Sequence, residues 1–284
     1  MDRFSKYNPK ASLLFFASVI ILTMLIFNPV YLSLSLAGGL LYSIKLKGKG
    51  AAGFLFKLVL PLILLVAAFN MLFVHTGETV FFSLLDTPFT AESLFYGFNQ
   101  GVMLGAVIMW FSCYNSTVTA EGLMSAFGKR APSIALVFSM VLTFIPRLKK
   151  NLAEIEDARM LADSEKSKMK KALNNLSALI SMTLEESIET ADSMKARGFV
   201  GKRNPYSKYR FSNKDLAVML FCALSFAAVI AYKAAGKTTF IFEPIISMPE
   251  VSFICITVFA VLCLLPLIID FAEDIKWFYL KQKI

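Results

Sequence analysis

The sequence predicts an all-α polytopic membrane protein of about six transmembrane helices, with a cytoplasmic or interfacial helical segment inserted before the last two spans. Three observations predict it. Of 284 residues, 57% are hydrophobic and 17% charged, with mean hydropathy +0.64, well above the roughly 45–50% apolar content of soluble domains. The apolar residues gather into separate runs near the length that crosses a hydrocarbon layer. About half of the 29 Lys and Arg fall between Arg147 and Lys214, so the net charge of +9 marks one membrane face rather than a nucleic-acid surface.

The runs Ala11 to Phe27, Val30 to Ile44, Phe54 to Val74, Phe98 to Tyr114, Leu216 to Tyr232 and Val251 to Ile269 are the expected spans. Several are short, and snorkelling Lys and aromatic residues extend their reach. Arg3, Lys6 and Lys10 precede the first run without a small-residue cleavage site, which marks a transmembrane helix rather than a removed signal. The Asn28-Pro29 turn carries no cation, and the next connection carries Lys45, Lys47, Lys49 and Lys57. The stretch from His75 to Gly97 has no Lys or Arg but holds Glu78, Asp86 and Glu92. Both termini are therefore expected in the cytoplasm, with Lys276, Lys281 and Lys283 in agreement and Lys233 and Lys237 against.

Ala131 to Pro146 is apolar but bracketed by Lys129 and Arg130 on one side and Arg147, Lys149 and Lys150 on the other. Cations at both ends argue against crossing, so it is expected to lie along the interface and run into a longer helix. Beyond it the pattern becomes periodic. Leu148, Leu152, Ile155 and Leu161 recur at helical steps, and then Leu173, Leu176, Ile180, Leu184, Ile188, Ala191 and Met194 form one stripe opposed by Glu185, Glu186, Glu189 and Asp192. These are two amphipathic helices. The second ends with Lys195 and Arg197, which suit the dipole, and with Gly198, which suits a left-handed cap. Arg197 is thus expected to protrude from a helix end. The chain divides into residues 1–130 with about four spans, 131–214 with the amphipathic helices, and 215–284 with the last helices.

Other motifs carry little. Gly48-Lys49-Gly50-Ala51-Ala52-Gly53 matches G-x-G-x-x-G but follows a transmembrane helix, not a strand, and no Walker-type G-x-x-x-x-G-K-[ST] occurs. His75 is the single histidine and has no second His with which to hold a metal. Cys113, Cys222, Cys255 and Cys263 sit singly in apolar runs, as buried hydrophobes do. Gly97, Gly101 and Gly105 share one helix face, where they permit close helix packing. Asn70, Asn99 and Gln100 are read as interhelical hydrogen-bonding groups, with the lining of a substrate path as the alternative. No catalytic residue, cofactor or resident metal is indicated.

Ala191-Asp192, Met194 and Ala196-Arg197-Gly198-Phe199 resemble the second coupling-helix signature of the transmembrane T component of energy-coupling factor (ECF) transporters, the EcfT/CbiQ family. The similarity extends to Asn28-Pro29, Asn70, Thr90, Glu92, Ser93, Leu94, Gly97, Phe144-Ile145-Pro146 and, past the signature, Arg210, Ser212, Lys214 and Asp215. It covers roughly residues 5 to 232. The family usually ends its first coupling helix with Ala-Arg-Gly or Ala-Arg-Ser, and here Ala158-Arg159-Met160-Leu161 stands instead.

The resemblance implies a non-catalytic subunit of an ABC-type importer in a prokaryotic plasma membrane. It would join two cytoplasmic ATPases, which bind the ATP, to a small substrate-binding S component. Ala196, Arg197 and Gly198, with Ala158 and Arg159, are the implied ATPase-docking residues, and the Leu173 to Met194 stripe is the implied coupling surface. The cargo is a vitamin, a vitamin precursor or a transition metal ion such as cobalt or nickel, recognised by the separate S component. A lipid-modifying membrane enzyme using His75 or the polar groups near Asn99, and a scaffold for a soluble signalling partner, are the alternatives.

Overall fold

The computed structural model describes residues 4, 7–74, 80–84, 87–127, 132–162, 167–199, 211–234 and 252–282. Among them the first two helices, α1 (Pro9–Leu25) and α2 (Pro29–Lys47), start by the same device. An Asn side chain, Asn8 or Asn28, accepts the backbone N–H two residues on at 3.1 Å, and a proline fills the first helical position. The third span runs from Lys49 to Phe73 as α3 (Lys49–Phe54), a π-helical turn (Leu55–Val59) and α4 (Leu60–Phe73). Pro61 lies just past the π turn, which removes the clash its ring would make with the carbonyl four residues back.

No regular element was expected between the third and fourth spans, but strands β1 (Val80–Leu84) and β2 (Thr87–Thr90) pair there as an antiparallel ribbon with a bulge near Val80. The fourth span, α5 (Ala91–Thr117), begins seven residues before Phe98 because its first turns are polar. After α6 (Ala120–Phe127) come the two inserted helices, α7 (Pro132–Ala162) and α8 (Lys168–Ala196), and then α9 (Asn213–Ala234) and α10 (Phe253–Gln282). The apolar segment Ala131 to Pro146 enters α7 and continues without a break into the amphipathic half, with Pro146 inside the helix. Among the described residues five helices are long and apolar enough to cross a membrane, and α1 is a shorter apolar helix of 17 residues, at the lower limit for a span.

The chain separates into two compact units, residues 1–123 with 209–284, and residues 124–208. Trp110 centres the first. Its indole Nε1 donates to the Ser35 carbonyl and hydroxyl oxygens, both at 3.1 Å, and Phe15, Phe16 and Tyr42 pack around its rings. On α5, Gly97, Gly101 and Gly105 lie against α4 and the π turn, where an added Cβ would meet Asn70 Cβ at 2.5 Å, Ile63 Cα at 2.9 Å and Val59 Cγ1 at 2.8 Å. The order of these partners makes the two spans antiparallel.

The last two spans stack on the first two in parallel. The Asp215 carboxylate at the start of α9 accepts the Asn8 backbone N–H at 3.0 Å, and Lys233 at its other end donates to the Leu25 carbonyl. Along α2, Tyr31 meets Phe259, Gly38 leaves room for Cys263, and Lys45 pairs with Asp270 at 3.1 Å. Asp270 fell just past the expected end of the last span; α10 continues beyond it and leaves it 2% exposed. Phe27 meets Tyr96 while Tyr42 bonds Thr117, so α5 runs parallel to α2. The end of α5 and the start of α9 therefore share one end of the bundle, that of Asn8 and Lys47. Lys233, which ran against the charge rule, serves as a cation on the last carbonyls of α1; Lys237 lies outside the described residues.

Gly101→Ala is expected to destabilise the detergent-purified protein by about 1–3 kcal/mol through overpacking on backbone, whereas Gly50→Ala, whose Cβ meets nothing within 4 Å, leaves stability unchanged or slightly raised. Thermal unfolding of both variants reads the difference. In the same assay Lys45→Ala should lower the melting temperature more than Asp270→Asn. The first removes the ion-pair partner of a carboxylate that is 2% exposed, and the second leaves an ammonium 36% exposed that can turn to water.

Candidate functional site

The end of α8 is built by its last six residues. Ala196 closes the helix, Arg197 takes the cap position at φ −78° and ψ 8°, and Gly198 turns into the left-handed region at φ +73°. The Gly198 N–H donates to the Lys195 carbonyl at 2.9 Å and the Phe199 N–H to the Met194 carbonyl at 3.0 Å. These two bonds form a Schellman motif, which satisfies carbonyls that a helix end otherwise leaves open. Asp192 and Lys195 pair along the last turn at 3.6 Å. Ala196, Arg197 and Gly198 are all exposed, and among the described residues the Arg197 guanidinium has no partner. A cation held on a rigid helix end between two small residues can enter a narrow polar groove, where its planar fork makes several directed hydrogen bonds.

The stripe on α8 faces outward. Leu173, Leu176, Ile180, Leu184 and Ile188 are 50 to 65% exposed, Ala191 is exposed, and Met194 is half-buried. The more covered face lies one position round the helix and is mostly polar: Asn175, Leu179, Thr183, Glu186 and Thr190. Antiparallel α7 meets this face, with Asn151 Nδ2 donating to Glu186 Oε1 at 3.3 Å and Arg159 Nη2 donating to the Asn174 carbonyl at 3.0 Å. The stripe expected as a coupling surface is thus left uncovered by α7 from Leu173 to Ile188.

Arg159 and Arg197 are not brought together. Arg159 sits in the last turn of α7, beside the first third of α8, and about 33 Å of α8 separates Asn174 from Ala196. Ala158 and Arg159 are exposed, but α7 continues past them to Ala162, so Arg159 does not cap a helix.

The other residues singled out have plainer places. Asn99 is buried, Gln100 is half-buried, and Asn70 lies against Gly97. Asn99 Nδ2 and Asn70 Oδ1 are buried atoms without a hydrogen-bond partner among the described residues. Cys113, Cys222, Cys255 and Cys263 are free and buried. The Gly48 to Gly53 stretch links helix to helix through Gly48 at φ +58°, not strand to helix. His75 lies outside the described residues. Sequence reasoning missed Asp270 and the Asn174 carbonyl; an acid just inside a helix that outruns its apolar stretch was the available signal for the first, and a backbone acceptor leaves none for the second.

These features define a multi-pass membrane protein, helical apart from the short β1–β2 ribbon, with a two-helix insertion that ends in an exposed arginine. The family model described as CbiQ, cobalt transport protein, matches residues 4–207. That is well over half of the chain, which therefore belongs to this family, the T-component family of ECF transporters, and is a component of a membrane transport system. The match takes in α1 to α8 and stops before α9, so the likeness at Arg210, Ser212, Lys214 and Asp215 lies beyond it. No curated protein matches the chain.

Gly198→Ala forces a Cβ into φ +73° and is expected to cost the cap roughly 1 kcal/mol. Amide hydrogen exchange should then quicken at residues 193–199 and stay unchanged in the first half of α8.

Proposed function

We propose that this chain is the coupling subunit of an ECF-type importer, which transmits the work of two cytoplasmic ABC-type ATPases to a small membrane S component. The observation that carries this reading is the end of α8, where Ala196, Arg197 and Gly198 stand exposed on a hydrogen-bonded cap. In the proposed complex the Arg197 guanidinium enters a groove of one ATPase. The uncovered Leu173 to Ile188 face rests on the S component or on lipid, and rotation of the ATPases on binding ATP swings α8 and tilts the S component.

The charge distribution supports a cytoplasmic placement for the insertion. Lys10, Lys45 and Lys47 cluster at the end of the bundle where α5 ends and α9 begins, and cytoplasmic connections carry the excess of Lys and Arg. Both termini then lie in the cytoplasm of a prokaryotic cell, and the ribbon β1–β2 faces outside. ATP is bound and hydrolysed by the partners, and the chain itself is not catalytic. The family's description points to cobalt as cargo; nickel, vitamins and vitamin precursors suit the same architecture, because the S component selects the substrate.

Purification of the tagged chain from its native membrane should bring down a pair of cassette ATPases and a small hydrophobic subunit, identified by mass spectrometry. Arg197→Glu is expected to lose the ATPases and abolish uptake while the chain stays in the membrane. A stably inserted Arg197→Glu variant that keeps its ATPases and transports at the wild-type rate would overturn the reading, and a wild-type pull-down without ATPases would favour a scaffold or an enzyme.

A further inference from the structure

We infer that Arg159 is an internal clasp that fixes α8 to α7, a positioning residue rather than a second ATPase contact. This rests on the coupling reading above and assigns to Arg159 a role different from the one its place in the family pattern implies.

The geometry of the insertion carries the assignment. Among the described residues the most covered side chains of α7 and α8 are Asn151 and Asn175, at 6% and 9% exposure, and neither helix buries a large apolar side chain. An antiparallel pair with so little buried apolar surface gains little from the hydrophobic effect. Directed polar contacts then help to set its register, among them Asn151 to Glu186 and Arg159 to the Asn174 carbonyl. Asn174 is inside α8, where its carbonyl already serves the helix ladder. The second lone pair of that oxygen remains for a donor from outside.

The guanidinium suits this acceptor. Arg159 lies in the last turn of α7, where a cation is favoured by the helix dipole, and its fork of donors reaches a neighbouring backbone without losing charge. Its contact falls beside Asn175, the most covered residue of α8, so the clasp sits where the helices approach closely. Arg197, at the far end of α8, has no such partner among the described residues. The two arginines therefore differ in kind, one turned into the hairpin and the other away from it. Force received at Arg197 travels along α8 and enters α7 through the Asn151 and Arg159 contacts. Without Arg159 the leading part of α8 loses a backbone anchor to α7, and part of the stroke is lost in flexing.

The test uses the whole transporter for uptake and ATPase retention, and the purified chain alone for the clasp. Spin labels on cysteines placed at the exposed positions Glu156 and Ser177 report the α7–α8 separation by pulsed dipolar spectroscopy; the four native cysteines are buried. Arg159→Gln is expected to broaden the distance distribution and shift the open fraction by about two- to tenfold, the range for one lost hydrogen bond. Uptake should fall by a similar factor with both ATPases still bound, and Arg159→Lys should restore part of each. Loss of one ATPase from Arg159→Gln with an unchanged distance distribution would overturn the clasp and make Arg159 a docking residue. An unchanged distribution with normal uptake would overturn it as well. Failure of the coupling reading shows separately, as retained ATPases and uptake in Arg197→Glu, and leaves the distance measurement valid.

Discussion

The parallel stacking of α9 and α10 on α1 and α2 is the constraint from which the rest of the architecture follows. In hydrocarbon, helices gain nothing from hiding apolar surface from one another, so orientation is set by close backbone approach and by polar contacts. Here both act. Gly38 admits Cys263; at the two ends of α9 Asp215 holds the Asn8 N–H and Lys233 holds the Leu25 carbonyl, and within α10 Asp270 pairs with Lys45. Were the second hairpin inverted, Asp215, Lys233 and Asp270 would each lose the partner named. Because α9 must run in the direction of α1, the chain between Thr117 and Ser212 has to leave and return at one end.

The insertion in turn obeys an inverted rule of amphipathicity. A soluble helical hairpin buries its apolar stripes between the helices and turns charge outward. In α8 the stripe from Leu173 to Ile188 is open, while Asn175, Thr183, Glu186 and Thr190 lie nearer α7. Full burial of each large apolar side chain is worth about 1.5–3 kcal/mol, so a surface of five such residues in water is a standing incentive for cover. Ile134, Val137, Phe138, Val141 and Ile145 on α7 repeat the pattern at helical spacing. In the complex proposed above, lipid or the S component covers both faces. The polar seam then has a physical rationale: a hairpin held by few directed bonds keeps its apolar faces free for that cover.

Apolar runs and punctuation were legible in the sequence, and distant pairings were not. Asn-Pro before a run of apolar residues marks a helix start by local chemistry alone, and the structure uses it at Asn8-Pro9 and at Asn28-Pro29. Gly198 was readable as a cap for the same reason, since a left-handed turn after Lys195 and Arg197 needs no knowledge of the fold. Strands of five and four residues, Val80–Leu84 and Thr87–Thr90, are too short for alternation to stand out beside an apolar helix. The Lys45–Asp270 pair joins residues that only the stacking of α10 on α2 brings together. Arg159 illustrates the limit most sharply: its spacing placed it in a motif, and the carbonyl that engages it carries no side-chain signature.

The difference between the two arginines follows from how each helix ends. At Arg197 the backbone satisfies its own last carbonyls through Gly198 and Phe199, so the side chain is not needed for capping and stays exposed. At Arg159 the helix continues for three residues, with Met160 and Leu161 where a glycine would have stopped it, and the guanidinium lies alongside α8 instead of beyond a terminus. A glycine after the arginine is therefore more than a helix terminator in this setting, because it determines whether the charge projects outward or folds back. In the coupling proposed above, an insertion with one projecting and one folded arginine receives its push at a single tip, and the contacts between α7 and α8 behind that tip pass it to the rest of the hairpin.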